Sequence, residues 1–360
     1  MELKLLCIIT FTAILLVCSP PLAAGAECQK SPIIFNFGDS NSDTGGFGVA
    51  YGSLLGYPNG RKFFHRSSDR FSDGRLIIDF LCDNVKMDYL SSYLESLTSN
   101  FKNGVNFAVG GATAFPKSNF FSLKTQIKEF SRFHSRSLNF HLEGVKGMFD
   151  REDFGNALYM IDIGQNDITL AFYNHTKLEV VVQQIPFLIS EIKDAIEYLY
   201  KAGGRMFWVH NTGPAGCLPQ MLATKVGDFD EAGCLKPLNE AAREFNAQLL
   251  NLSANLRVEL KNATVVYVDM YTIKYDLISN SALYGFEKPL MACCGGGGAP
   301  YNADPKILCG TTGYTVCDED TRFISWDGIH YTDNANAVFA ARIATTNYST
   351  PPLRFDSFWC

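Results

Sequence analysis

A second long apolar run is missing from this chain of 360 residues. The one run present, Leu5–Val17, is about a dozen residues, short of the ~20 that a membrane-spanning helix needs. It follows Lys4 and precedes Pro20-Pro21 and the small residues Ala24-Gly25-Ala26. That order is the charged flank, apolar stretch and small-residue cleavage site of a secretory signal, predicted over residues 1–26. The expected product is a soluble, secreted protein (extracellular, cell-wall or vacuolar) with no integral membrane segment. Clusters of basic residues are also missing: 31 Lys and Arg stand against 37 Asp and Glu, a net charge of −6. A phosphate-binding surface needs concentrated positive charge, so nucleic acid is excluded as a partner. No Pro/Ser/Gly-rich linker and no repeat divides the chain, which predicts a single domain over 27–360. At 47% hydrophobic residues the composition is that of a packed globular protein, not a disordered one.

Cysteine is not scarce. There are eleven, and Cys7 and Cys18 belong to the signal. In an oxidising compartment most of the rest should pair. Cys217 with Cys234 makes one candidate bridge, and Cys293, Cys294, Cys309 and Cys317 make two more. Cys28, Cys82 and Cys360 are left over, an odd number that leaves one thiol unassigned. Zinc is the weaker reading of the second cluster, because its spacing is not C-x2-C and no histidine interleaves. No metal and no cofactor is expected.

Five short apolar segments are rich in β-formers: Ile33–Phe37, Val105–Val109, Leu158–Ile163, Met206–His210 and Val265–Met270. Near-continuous apolar runs suit strands of a parallel sheet buried on both faces. Helix-period stretches lie between them, as in Val181–Ala202, which stops at Gly203-Gly204. Another follows Pro237, with Ala242, Phe245, Leu249, Leu252 and Leu256 at steps of three and four. A last one runs over Ala335–Ala344 behind a Thr332-Asp333 start signal. Strands alternating with helices predict an α/β sandwich around a five-stranded parallel sheet, with ligands beyond the carboxyl ends of the strands. The long segments Phe47–Asp79 and Glu287–Thr321 are read as insertions at those ends.

The residues just past the strands are therefore the ones that matter. Gly38–Gly46 follows the first, Gly110–Thr113 the second and Gly164–Asp167 the third, while Trp326–His330 precedes the last helix. Acyl transfer through a serine needs a base on the hydroxyl, a carboxylate to orient that base, and donors for the oxyanion. Ser40 is the candidate nucleophile, His330 the base and Asp327 its orienting partner. The backbone N–H groups of Ser40 and Gly111 and the side-chain amide of Asn166 are the candidate oxyanion donors. Gly110 remains an alternative to Gly111. Ser42 competes weakly with Ser40 from deeper in the loop. Of the six histidines, only His330 has an aspartate three residues before it and a helix directly after it. Asp167 fits a helix-capping role better than Asn166, which leaves Asn166 free for the site. The glycine run Gly295–Gly298 lacks the Lys-Ser/Thr that would follow it in a phosphate loop. No G-x-S-x-G elbow occurs, which argues against an α/β-hydrolase. Sequons at Asn174, Asn251, Asn262 and Asn347 are about as many as chance supplies, though a secreted chain allows their glycosylation.

Taken in order, FGDSNSDTGG, NFAVGGAT, IGQNDI and WDGIHYTDNAN resemble the blocks of the GDSL esterase/lipase family, within the SGNH-hydrolase superfamily. The resemblance is strongest to its plant branch, which the loops Gly216–Pro219 and Cys293–Gly298 also resemble. The letters of the superfamily name fall on Ser40, Gly111, Asn166 and His330, and Asp327 matches the D-x-x-H partner. The resemblance implies a flavodoxin-like three-layer α/β/α fold and metal-free hydrolysis of carboxylic esters. The expected substrates are acetyl and other acyl esters of small metabolites, glycosides or cell-wall sugars, with lipids less favoured because no long apolar lid is evident. An acyltransferase with the same residues, or a secreted binding or defence protein on this scaffold, are the alternatives. A glycosidase, which would work through two carboxylates, is a third reading against which the complete serine machinery speaks.

Overall fold

A computed structural model describes residues 31–97, 99–117, 121–224 and 227–359; the signal segment, Cys28 and Cys360 lie outside these described residues. The chain runs β1 (Ile34–Gly38), α1 (Gly46–Tyr51), α2 (Ile77–Asn84), β2 (Gly104–Asn106), α3 (Leu123–Leu142), α4 (Arg151–Asn156), β3 (Leu158–Asp162), α5 (Gln165–Tyr173) and α6 (Leu178–Lys201). It continues through β4 (Met206–His210), α7 (Pro219–Thr224), α8 (Lys236–Glu259), β5 (Thr264–Val268) and α9 (Met270–Ser279). The short pair β6 (Cys294–Gly295) and β7 (Thr315–Val316), then α10 (Asp333–Ile343) and β8 (Ser349–Thr350), complete it.

The central sheet has the order β2-β1-β3-β4-β5-β8. Its first five strands are parallel, as the apolar segments predict. The sixth corrects the expectation of five: β8 adds an antiparallel edge through Tyr267↔Thr350 and Val268↔Ser349. Two paired residues are too few to leave a periodic signature in the sequence.

Side chains alternate along each strand between two layers. Phe35, Tyr159, Phe207 and Val265 pack against α3, α6 and α8. Ile34, Leu158, Trp208 and Val266 pack against α2, α9 and α10. That is the expected α/β/α sandwich. In α8 the periodic Ala242, Phe245, Leu249, Leu252 and Leu256 are all buried. Each large apolar side chain so buried contributes about 1.5–3 kcal/mol. Gly164 closes β3 and opens α5 at φ 121°, a conformation that favours glycine. A Cβ there would stand 2.6 Å from the Phe245 ring, so the turn can pack against α8 only without one.

Bridges join Cys217 to Cys234, Cys293 to Cys317 and Cys294 to Cys309. Among the described residues the free thiol is Cys82, on the buried face of α2, where burial pushes it well above the usual thiol range. Peptide mapping of the non-reduced protein should recover those three pairs, and alkylation should reach Cys82 only after denaturation. Rapid labelling of Cys82 in the native protein would contradict this packing.

Candidate active site

The turn after β1 is fixed from several sides before any chemistry is considered. Gln126 of α3 accepts from the Gly38 N–H at 2.9 Å and donates to the Gly38 carbonyl at 2.7 Å. The Asp39 carboxylate accepts from the Asn41 N–H at 2.9 Å, an Asx turn that presents Ser40 at its apex. Ser42, the weaker competitor, is buried and receives the Asn36 amide at 3.0 Å, which gives it a structural partner and no base.

Ser40 Oγ lies 2.6 Å from His330 Nε2, joining groups 290 residues apart in sequence. His330 Nδ1 lies 2.6 Å from Asp327 Oδ2. A carboxylate only accepts, so the neutral imidazole carries its proton on Nδ1 and leaves Nε2 to accept from the serine. Burial pushes the Asp327 carboxyl up. The His330 charge and hydrogen bond, with the N–H groups of His330 and Ile329, outweigh that and hold it below the usual carboxylate range. Phe71, which no local pattern singles out, packs its ring 4.6 Å from the imidazole.

The loop carrying Asp327 and His330 is a tight turn locked on itself, with Trp326 N–H donating to the His330 carbonyl at 2.7 Å. Its backbone hangs on the disulfide-bonded insertion: Cys293 N–H reaches the Ser325 carbonyl at 3.0 Å and Cys294 N–H the Trp326 carbonyl at 2.7 Å. The Trp326 indole donates to Asn59 at 2.9 Å.

The two candidate glycines differ in their hydrogen bonds. Gly110 N–H donates to Asp43 Oδ2 at 2.6 Å and is committed. Gly111 has φ 78° and its N–H has no partner among the described residues, so it is the one left to face a ligand. Asn166 sits in the first turn of α5 and donates to the Ala112 carbonyl at 2.9 Å; its amide nitrogen also lies 3.4 Å from Asp39 Oδ2. Asp167 does not cap its helix, contrary to expectation. Its carboxylate reaches across to the Ala114 and Phe115 N–H groups at 2.8 and 3.1 Å, clamping the loop after β2 to α5. Asp43 does the same for the first loop, accepting from Gly45, Gly46, Phe47 and Gly110. A cleft of about 380 Å³ opens beside α5, lined by Phe115, Ile168, Val181, Phe187 and Leu188, with Lys117 and Asp167 among its polar atoms.

A parallel α/β/α sandwich with serine, histidine and aspartate in one hydrogen-bonded chain at its strand ends has the architecture of a serine hydrolase. The family model for GDSL-like Lipase/Acylhydrolase matches residues 34–343. The chain belongs to that family. It is 52% identical to a protein named GDSL esterase/lipase LIP-4 from Arabidopsis thaliana, over 97% of this chain and 95% of that one. A second GDSL esterase/lipase of the same plant is 53% identical over 96% and 94%. A more distant relative at 40% identity, covering 93% and 95%, is named Alpha-L-fucosidase 3.

Removing the Asp43 carboxylate orphans four buried N–H groups at ~1–3 kcal/mol each. Asp43→Ala should therefore lower the thermal midpoint sharply and reduce turnover, while Asp43→Asn, which keeps one acceptor oxygen, should lose less of both. Melting curves of the two variants alike and close to wild type would show that the clamp is dispensable.

Proposed function

We propose that the protein is a secreted serine esterase that hydrolyses carboxylic esters through an acyl-enzyme on Ser40. The observation that carries this reading is the unbroken chain Ser40–His330–Asp327, with both links at 2.6 Å. His330 takes the Ser40 proton as the hydroxyl attacks the ester carbonyl, and Asp327 stabilises the imidazolium that forms. The N–H groups of Ser40 and Gly111 and the amide of Asn166 receive the oxygen as it becomes negative. The imidazolium then returns the proton to the departing alcohol, and water repeats the sequence in reverse to release the acid.

The substrates we propose are acyl esters of small metabolites, glycosides or cell-wall sugars. The three bridges accord with an oxidising compartment. Asn174, Asn251, Asn262 and Asn347 are all exposed, as glycan acceptors would be. The fucosidase name of one relative makes a fucoside a necessary control beside the esters. An acyltransferase would differ only in which alcohol reaches the acyl-enzyme, so products formed with and without added acceptor alcohols distinguish it.

Ser40→Ala and His330→Ala should each abolish hydrolysis of p-nitrophenyl acetate and acetylated sugars with little loss of stability, and the double variant should be scarcely worse than either. Asn166→Ala should lower kcat by ~10²–10³-fold with KM nearly unchanged, because its bond strengthens only as the oxyanion forms. Activity should rise with pH as His330 loses its proton, since only the neutral ring is a base. Full activity of Ser40→Ala, or its labelling by an organophosphate at Ser42, would overturn the assignment.

A further inference from the structure

Beneath the nucleophile lies a buried charge array that the acyl-transfer steps do not use. The sheet register places Gly38 beside Asp162 and Asp162 beside His210. Both Asp162 and His210 point toward the layer of α9 and α10, and Asp39 follows Gly38 directly. Asp162 Oδ2 lies 3.4 Å from His210 Nδ1. The Trp208 indole donates to His210 Nε2 at 3.1 Å. An indole N–H cannot accept, so the imidazole proton sits on Nδ1, facing Asp162, and His210 is neutral. From α9 comes Lys274, only 2% exposed, its ammonium 4.5 Å above the Tyr331 ring. A Cβ on Gly213 would stand 2.8 Å from the lysine stem, so that glycine makes room for it.

The charges do not balance. Asp39 and Asp162 are two carboxylates, and Lys274 is one cation. Burial holds its ammonium below the usual lysine range, against the charges of Asp162 and Asp39, on both of which its own charge acts. Burial raises the Asp162 carboxyl, but the Nδ1–H side of His210 and the charge of Lys274 outweigh it and hold Asp162 below the usual carboxylate range. Asp39 is left to carry the excess. Burial and the charge of Asp162 push it up to about 7, against the donors of Asn41 and the charge of His330.

We propose that Asp39 is a proton-gated positioning residue for the oxyanion donor Asn166, and that Lys274 with Asp162 sets the pH at which the gate works. The proposal rests on the esterase reading above. An ionised Asp39 attracts the Asn166 amide, whose nitrogen lies 3.4 Å from Oδ2, and places negative charge beside the developing oxyanion. A protonated Asp39 carries its hydrogen on that oxygen, so the amide is released to the substrate. The groups facing Asp39 are Asn41 on its own turn, Asp162 from β3 with His210 of β4 behind it, Asn166 from α5, Lys274 from α9, and His330 and Tyr331 from the last loop. Of these, His330 is the one that an Asp39 anion would help, and Asp327 already serves it at 2.6 Å.

The test is the pH dependence of kcat for 1-naphthyl acetate hydrolysis. Wild type should show an acid limb, where the base is protonated, and an alkaline fall as Asp39 ionises. Asp39→Asn, permanently neutral, should lose the fall and keep the rise. Lys274→Met should move the fall upward by about one pH unit or more, because Asp39 then keeps its proton longer. An unchanged alkaline fall in Asp39→Asn, or a fall moved downward or unmoved in Lys274→Met, overturns the proposal. Should either variant fail to fold, infrared spectra of wild type labelled with ¹³C-aspartate provide the same test: the protonated-carboxyl band must disappear in step with activity. Ser40→Ala run in parallel separates the two readings. Turnover by Ser40→Ala sinks the esterase mechanism, whereas an inactive Ser40→Ala beside an unaltered Asp39→Asn profile sinks only the role of Asp39.

Discussion

The 2.6 Å hydrogen bond between Ser40 and His330 joins the first strand to a loop just before the last helix. A bond of that length tolerates little displacement at either end, so both loops must be rigid without relying on each other. On the serine side rigidity comes from amides and carboxylates. Gln126 grips Gly38, Asn36 and Asn106 hold Ser42, and Asp43 gathers four N–H groups from two loops. Each of these side chains is buried, and each is paired, which is the condition under which buried polar groups stabilise a structure.

The electrostatic arrangement follows from the same crowding. A parallel sheet brings its strand ends to one edge, where β1, β3 and β4 contribute Asp39, Asp162 and His210 almost in line. The buried Trp208 and Tyr331 rings lie there, and Asp39 and His210 are themselves buried, so each charge needs a partner or a proton. Asp327 finds its partner in His330, and Asp162 lies against His210 within reach of the charge of Lys274. The edge that presents Ser40 thus also gathers the Asp39 and Asp162 carboxylates.

Most of this was legible in the sequence wherever a local pattern carried it. Continuous apolar runs marked the five parallel strands, helical spacing marked α6, α8 and α10, and loops at predicted strand ends held Ser40, Asn166 and His330. What stayed hidden depends on partners distant in sequence. Nothing around Gln126 or Lys274 announces a bond to Gly38 or a place beneath Asp39. That Gly110 is engaged, by Asp43 67 residues away, leaves no local sign. Asp167 reads locally as a cap, and only the folded loop shows Ala114 and Phe115 as its partners. The edge strand β8 was missed because two residues have no period.

The histidine side is held differently, and the cysteines explain how. Residues 287–321 contain little regular structure, and their buried apolar contact is a small cluster in which Cys293 and Cys294 pack with Phe323 and Trp326. So little buried apolar surface cannot hold a segment of that length rigid. Two bridges close loops with sequence separations of 24 and 15. By the chain-entropy account such closures each remove roughly 3 kcal/mol of unfolded-state freedom. Arg61 adds to the brace, its guanidinium 5.4 Å above the Trp326 ring and 3.4 Å from the Cys293 sulfur. The stiffened insertion then presents the N–H groups of Cys293 and Cys294 to the carbonyls of Ser325 and Trp326, immediately before Asp327. The bridges contribute no reacting atom. They supply the fixed backbone against which the Asp327–His330 turn is built, as Gln126 and Asp43 do for the turn that carries Ser40.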